Sequence, residues 1–163
     1  MRYHNITKDD MLNGDGLRVV LWTAGCPHKC PGCHNPVTWD ENGGLEFDSA
    51  AKDELFSILE KPYISGLTLS GGDPLLPSNR TELTEFIKEV KEKFPNKTIW
   101  LYTGYLWKEV KDLELIKYID VLVDGRFLQN LKNTQLKWRG STNQRVIDVK
   151  KTLNSGNVVL YCD

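Results

Sequence analysis

Apolar residues along this chain gather in short runs, and the stretches between the runs carry apolar residues at helical spacing. Leu17 to Trp22 is a β-prone run that ends at a cysteine-rich loop. A helix is predicted next, capped by Asp48 or Ser49, with Ala51, Leu55, Ile58 and Leu59 on one face. Ile64 to Leu69 reads as a strand ending in Ser70-Gly71-Gly72-Asp73-Pro74. The clearest helix follows: Leu83, Phe86, Ile87, Val90 and Phe94 form an apolar stripe, with Asn79 and Glu82 as its capping pair. Thr98 to Tyr102 is a third strand, and Leu106, Val110, Leu113 and Ile116 mark a third helix. Ile119 to Val123 is a fourth strand, ending at Asp124-Gly125-Arg126. Beyond it the alternation loosens into a polar stretch to Arg145, a short run from Val146 to Val149, and a last strand from Val158 to Tyr161.

Strands alternating with helices at this spacing predict a parallel sheet with right-handed crossovers. The unusual residues sit in the loops after the strands, and ligands of parallel α/β folds bind at the carboxyl ends of strands. Cys26 to Cys33, Ser70 to Pro74 and Asp124 to Arg126 are therefore expected to share one mouth. No repeat, low-complexity stretch or linker divides the chain, so residues 1–163 read as a single domain. A complete eight-stranded (β/α) barrel needs about 250 residues, so any barrel of 163 residues must be partial.

Charge narrows the function classes. Lys and Arg number 21 against 22 Asp and Glu, a net charge of -1, without the basic excess of nucleic-acid binders or an acidic tail. No apolar run approaches the roughly 18 residues of a membrane span, and the N-terminus lacks the apolar centre of a signal peptide. The chain reads as soluble and cytoplasmic.

Three of the four cysteines, Cys26, Cys30 and Cys33, crowd into one loop, and Cys162 lies far away beside the C-terminus. That distribution is a poor disulfide framework. The spacing Cys26-x-x-x-Cys30-x-x-Cys33 lets three thiolates turn inward and hold a metal or an iron-sulfur cluster with one position open for substrate. The plainer alternative is structural zinc, with His28, His34 or Cys162 as fourth ligand. Cys162, after four strand-like residues, is most simply a buried thiol.

Cys26-Pro27-His28-Lys29-Cys30-Pro31-Gly32-Cys33 resembles the cysteine loop of the radical S-adenosylmethionine superfamily. Asn13-Gly14-Asp15-Gly16-Leu17-Arg18 before it and His34-Asn35-Pro36-Val37-Thr38-Trp39 after it resemble the activases of glycyl-radical enzymes. The short length, Val123-Asp124-Gly125-Arg126-Phe127 and the segment Arg139 to Arg145 are most similar to the activases of anaerobic ribonucleoside-triphosphate reductase. The resemblance implies an α/β fold that is a partial (β/α) barrel of about five to six mostly parallel strands. It also implies a 4Fe-4S cluster on Cys26, Cys30 and Cys33, with S-adenosylmethionine chelating the remaining iron. The activity implied is reductive cleavage of S-adenosylmethionine to a 5'-deoxyadenosyl radical, which makes a glycyl radical on the large subunit of the reductase. A low-potential electron donor such as flavodoxin is the second implied partner.

The remaining motifs take their meaning from that setting. Ser70, Gly71, Gly72 and Asp73 resemble the superfamily's motif that holds the methionine amino group, although Gly-Gly-Asp-Pro is also ordinary turn chemistry. Gly32 and Cys33 are implied cofactor contacts, with Gly32 standing where an aromatic residue often precedes the third cysteine and His34 offered on the adenine side. Asp124 and Arg126 are either contacts to S-adenosylmethionine or a strand-ending turn. Asn13 to Gly16 is architectural or shapes the docking mouth, and Arg139 to Arg145 is a solvated loop or a lining of the barrel's open side. Three other readings remain: a pyruvate formate-lyase activase, a small-molecule enzyme such as 7-carboxy-7-deazaguanine synthase, and a zinc module.

Overall fold

Eight strands form one sheet in the computed structural model, which describes residues 1–162. They are β1 (Arg2–Asp10), β2 (Arg18–Thr23), β3 (Leu45–Glu46), β4 (Gly66–Gly71), β5 (Thr98–Tyr102), β6 (Val121–Asp124), β7 (Arg145–Asp148) and β8 (Leu160–Cys162). The helices are α1 (Ser49–Leu59), α2 (Arg80–Lys93), α3 (Trp107–Val110) and α4 (Val149–Ser155). The strand order is β3-β1-β2-β4-β5-β6-β7-β8. Only the centre, β2-β4-β5-β6, is parallel. β1 and β3 on one side, and β7 and β8 on the other, pair antiparallel.

The expected five to six mostly parallel strands are thus corrected to eight strands in an open, mixed α/β sheet. The central four read clearly because they are covered on both faces and therefore continuously apolar. β1 escaped because it is half exposed and carries no apolar run. β7 is antiparallel because residues 125–144 contain only a short 3-10 turn, Gln129–Leu131, and no helix to return the chain to the far end of the sheet.

Helix signals held unevenly. Asp48 caps α1, its side chain accepting from the Ala51 backbone N–H at 3.0 Å. The expected Asn79–Glu82 capping pair does not form: Asn79 Nδ2 donates to the Ala24 carbonyl at 3.4 Å, and Glu82 Oε1 accepts from the Met1 α-amino group at 2.7 Å. The third helix breaks into α3 and a 3-10 turn, Glu114–Tyr118. Among the described residues no helix is long and apolar enough to cross a membrane.

The helices cover one face of the sheet with an apolar core that includes Leu21, Leu69, Phe86, Leu101 and Leu122. The other face is different in kind. It carries Trp100, Val121, Val123 and Val146, and also Arg18, a cation that is fully buried. The Arg18 guanidinium donates to Thr68 Oγ1, Thr98 Oγ1 and the carbonyls of Asp15, Leu67 and Thr98 at 2.8–2.9 Å, and lies over the Trp100 ring. Burial pulls its pKa down to about 10, which still leaves it protonated at neutral pH. Removing a group with every donor used leaves several buried acceptors empty, so Arg18→Met is expected to cost about 2–4 kcal/mol in urea unfolding. An unchanged midpoint would contradict that role.

Candidate functional site

The four parallel strands end on the same side, and the loops that follow them meet there. After β2 the chain passes through Ala24 and Gly25 into the cysteine loop, whose two arms are joined by Gly25 N–H to the Thr38 carbonyl at 2.7 Å and Cys26 N–H to the Trp39 carbonyl at 3.1 Å. The turn after β4 docks on this loop through Gly72 N–H to the Thr23 carbonyl and Asp73 N–H to the Gly25 carbonyl, both 2.8 Å. A Cβ on Gly72 would run into the carbonyl oxygens of Gly25 and Thr38, so the approach requires glycine.

Between these loops opens a cleft of about 200 Å³, lined by Cys26, Cys30, Cys33, His34, Ser70, Gly71, Gly72 and Asp73 among others. The expected convergence of the cysteine loop with the Gly-Gly-Asp-Pro turn is therefore seen. Burial raises the Cys26 and Cys30 thiols, while backbone N–H groups of His28 and Lys29 act the other way at Cys26, as does that of Phe127 at Cys30. The Asn35 N–H donates to Cys33 Sγ at 3.4 Å. Each sulfur thus has at least one backbone donor, the kind of hydrogen bonding that tunes an electron-rich cluster thiolate.

Among the described residues, no three His, Cys, Asp or Glu side chains gather closely enough to hold a single metal ion. Three thiolates that serve separate irons of a cluster need not gather in that way. Of the residues offered as a fourth zinc ligand, His28 bonds Asp73 through Nε2 at 2.6 Å, His34 packs on Phe127, and Cys162 lies on β8 beside the Trp100 cluster. The cleft also suits an amphipathic cofactor. His28 Nδ1, Trp39 Nε1, Tyr102 OH and Arg139 Nε are all buried without a hydrogen-bond partner, and all four residues line it. An unpaired buried polar group costs about 1–3 kcal/mol, so their concentration at one cleft points to a ligand that satisfies them.

Other residues singled out in the sequence take different places. Gly32 has φ 76 and packs on Gln129 instead of lining the cleft. The Asp73 carboxylate points into protein, where Thr103, Gly104, Leu75 and His28 surround it. Asp124 is fully buried; its oxygens accept from Arg145 Nε and Nη2 at 3.1 and 2.6 Å and from the Trp107 N–H at 2.9 Å. Its side chain is thus committed to β7 and α3 rather than to the cleft. Arg126 is exposed, and its charge counteracts the upward shift at Cys30. Asn13 to Gly16 lies at the opposite end of the sheet, where Asp15 and Gly16 line a separate cavity of about 500 Å³ with Ser65, Thr98 and Tyr161.

Sequence reasoning missed Tyr102, Thr103 and Gly104, which line the cleft at the end of β5 and could have been found by the rule that pointed to the other strand ends. Arg139 and Gln144, from the polar segment that reads as a solvated loop or a lining, also line it. The segment from Arg139 to Arg145 thus contributes to the wall of the cleft. Because Asp124 is buried and Arg145 is 40% exposed, Arg145→Met should cost about 2 kcal/mol in urea unfolding by stranding the carboxylate. Wild-type stability in that variant would show that the pair is dispensable.

Comparisons with known proteins agree with this geometry. Residues 12–147 match the family described as 4Fe-4S single cluster domain. The chain is 50% identical over 146 residues to the anaerobic ribonucleoside-triphosphate reductase-activating protein of Enterobacteria phage T4, covering 90% of this chain and 93% of the relative. It is 41% identical over 150 residues to the protein of that name from Escherichia coli K12, covering 90% and 97%, and 42% identical over 148 residues to that of Vibrio cholerae, covering 88% and 96%. A three-cysteine loop, a cleft at the carboxyl ends of parallel strands and relatives aligned over nearly their whole lengths agree: the chain belongs to the 4Fe-4S single-cluster family and, within it, to the anaerobic ribonucleoside-triphosphate reductase-activating proteins.

Proposed function

We propose that this protein activates the large subunit of an anaerobic ribonucleoside-triphosphate reductase by generating a glycyl radical on it. The observation that carries the reading is the cleft itself, where three backbone-bonded thiols and a close-packed glycine turn share a wall with four unsatisfied polar groups. When bound, the cluster and S-adenosylmethionine supply one-electron cleavage of the sulfonium bond to methionine and a 5'-deoxyadenosyl radical, which takes a hydrogen atom from the partner's glycine. Cys26, Cys30 and Cys33 hold three irons of that cluster. The backbone at Ser70, Gly71 and Gly72 borders the ligand, and His34 against Phe127 flanks it. Gly32 supplies the positive φ that the loop takes just before Cys33.

The protein works as a single domain with the curvature of a partial barrel. Supporting this, Tyr161 on the edge strand β8 donates to Asp15 Oδ2 at 2.7 Å, at the head of β2, and its ring meets those of Trp100 and Trp138 on the face away from the helices. A sheet curled that far encloses a face yet leaves a side open, through which an extended glycine-bearing peptide of the partner enters. The electron comes from a low-potential donor such as flavodoxin. The three relatives share one name, that of the reductase's activating protein, which favours the reductase over pyruvate formate-lyase as partner.

Anaerobic reconstitution with iron and sulfide is expected to give cluster absorption in the wild type and none in Cys30→Ala; full assembly in that variant would remove Cys30 as a ligand. With reductant and S-adenosylmethionine, electron paramagnetic resonance is expected to show a glycyl doublet on the reductase. A doublet on pyruvate formate-lyase and none on the reductase would overturn the partner assignment.

A further inference from the structure

The Asp73 carboxylate is 1% exposed, yet it is crowded with donors from three strand ends. Oδ2 accepts from His28 Nε2 at 2.6 Å and from the Gly104 N–H at 2.9 Å. Oδ1 accepts from the Leu75 N–H at 2.9 Å, and the Thr103 hydroxyl lies 2.9 Å from both oxygens. With the carboxylate ionised, it only accepts, and Nε2 of His28 is the donor of this bond. Little acceptor capacity remains for a ligand's ammonium group, the role that the motif suggests by sequence.

His28 occupies the middle of the arm between Cys26 and Cys30. Its ring is wedged edge-on against Tyr105 with centroids 4.6 Å apart, and it lies so close to Gly104 that a Cβ there would overlap it. Among the described residues, Pro27, His28 and Lys29 make no backbone-to-backbone hydrogen bond, and the adjoining ties are Cys26 N–H to Trp39 and Cys33 N–H to the Cys30 carbonyl. The side chain of His28 is therefore the anchor of this arm, and Asp73 is what it is anchored to.

We propose that Asp73 is a positioning residue: through His28 it fixes the Cys26–Cys30 arm for cluster binding, and it does not bind the methionine end of S-adenosylmethionine. The inference deepens the cluster reading and rests on it for the loaded protein. The motif thereby divides its labour. Ser70 and the Gly71-Gly72 backbone are left for the ligand, while the acid braces the cysteine loop from beneath.

Hydrogen–deuterium exchange of the cluster-free protein tests the brace without any cofactor. Asp73→Asn and His28→Phe are each expected to speed exchange in residues 26–33 by about tenfold or more, with the central strands unchanged, because a charge-assisted hydrogen bond is lost. His28→Gln, whose side-chain amide can donate to the same carboxylate, is expected to recover much of the protection. After reconstitution, Asp73→Asn and His28→Phe are expected to lose iron to a chelator about tenfold faster than wild type, and Asp73→Asn to bind S-adenosylmethionine within about twofold of wild type while the cluster lasts. Weakened S-adenosylmethionine binding by Asp73→Asn, with wild-type exchange and iron retention, would place the carboxylate on the ligand and overturn the proposal. If Asp73→Asn does not fold, His28→Phe decides alone, and wild-type exchange in that variant overturns it. Failure of the wild type to take up iron and sulfide would instead refute the cluster reading, which the exchange experiment reports separately.

Discussion

A carboxylate shut away from water must find all of its hydrogen bonds in the protein, and Asp73 finds them by drawing three strand ends together. It stands after β4, takes Thr103 and Gly104 from the end of β5, and takes His28 from the loop after β2. The glycines beside it make the arrangement sterically feasible. Gly72 lets the turn touch the cysteine-loop backbone, and Gly104 leaves room for the imidazole. The cleft lies above this knot, so its walls share one buried anion as their common support.

The sheet beneath separates stability from chemistry by face. On the helix side, α1 and α2 bury an aromatic and aliphatic core in which Phe86 packs against Phe47 and Phe56. On the other side the chain places a buried guanidinium, three aromatic rings and the bond between Tyr161 and Asp15. Arg18 ties β2 to β4 and β5 through side-chain and carbonyl acceptors, with no direct carboxylate partner among its hydrogen bonds. Those contacts lie at the end of the sheet opposite the cysteines. Charge follows the same logic locally: the chain is near neutral overall, yet Asp73 and Asp124 are both buried close to the mouth and each is matched by its own donors.

Much of this was legible in the sequence where a single element decides the outcome. The central strands are apolar because both faces are covered, α1 announces its cap at Asp48, and the cysteine spacing marks its loop. The features that escaped depend on partners distant in sequence. β1 is strand because β2 pairs with it, not because its own residues are apolar. β7 runs antiparallel to β6 because the segment between them makes no helical crossover. The inward turn of Asp73 needs Thr103, some thirty positions later, and the engagement of Asp124 needs Arg145; neither acid says on its own which way it faces. Arg139 and Gln144 reach the cleft from a segment with no periodicity at all.

The central claim is that the three loop thiols hold one 4Fe-4S cluster whose remaining iron faces a ligand in the cleft. Mössbauer spectroscopy of the iron-reconstituted protein, recorded with and without S-adenosylmethionine, addresses it directly. The account predicts that one iron environment of the cluster changes on addition of S-adenosylmethionine while the others stay as they were. A spectrum that does not respond, or one from isolated iron ions, would contradict it.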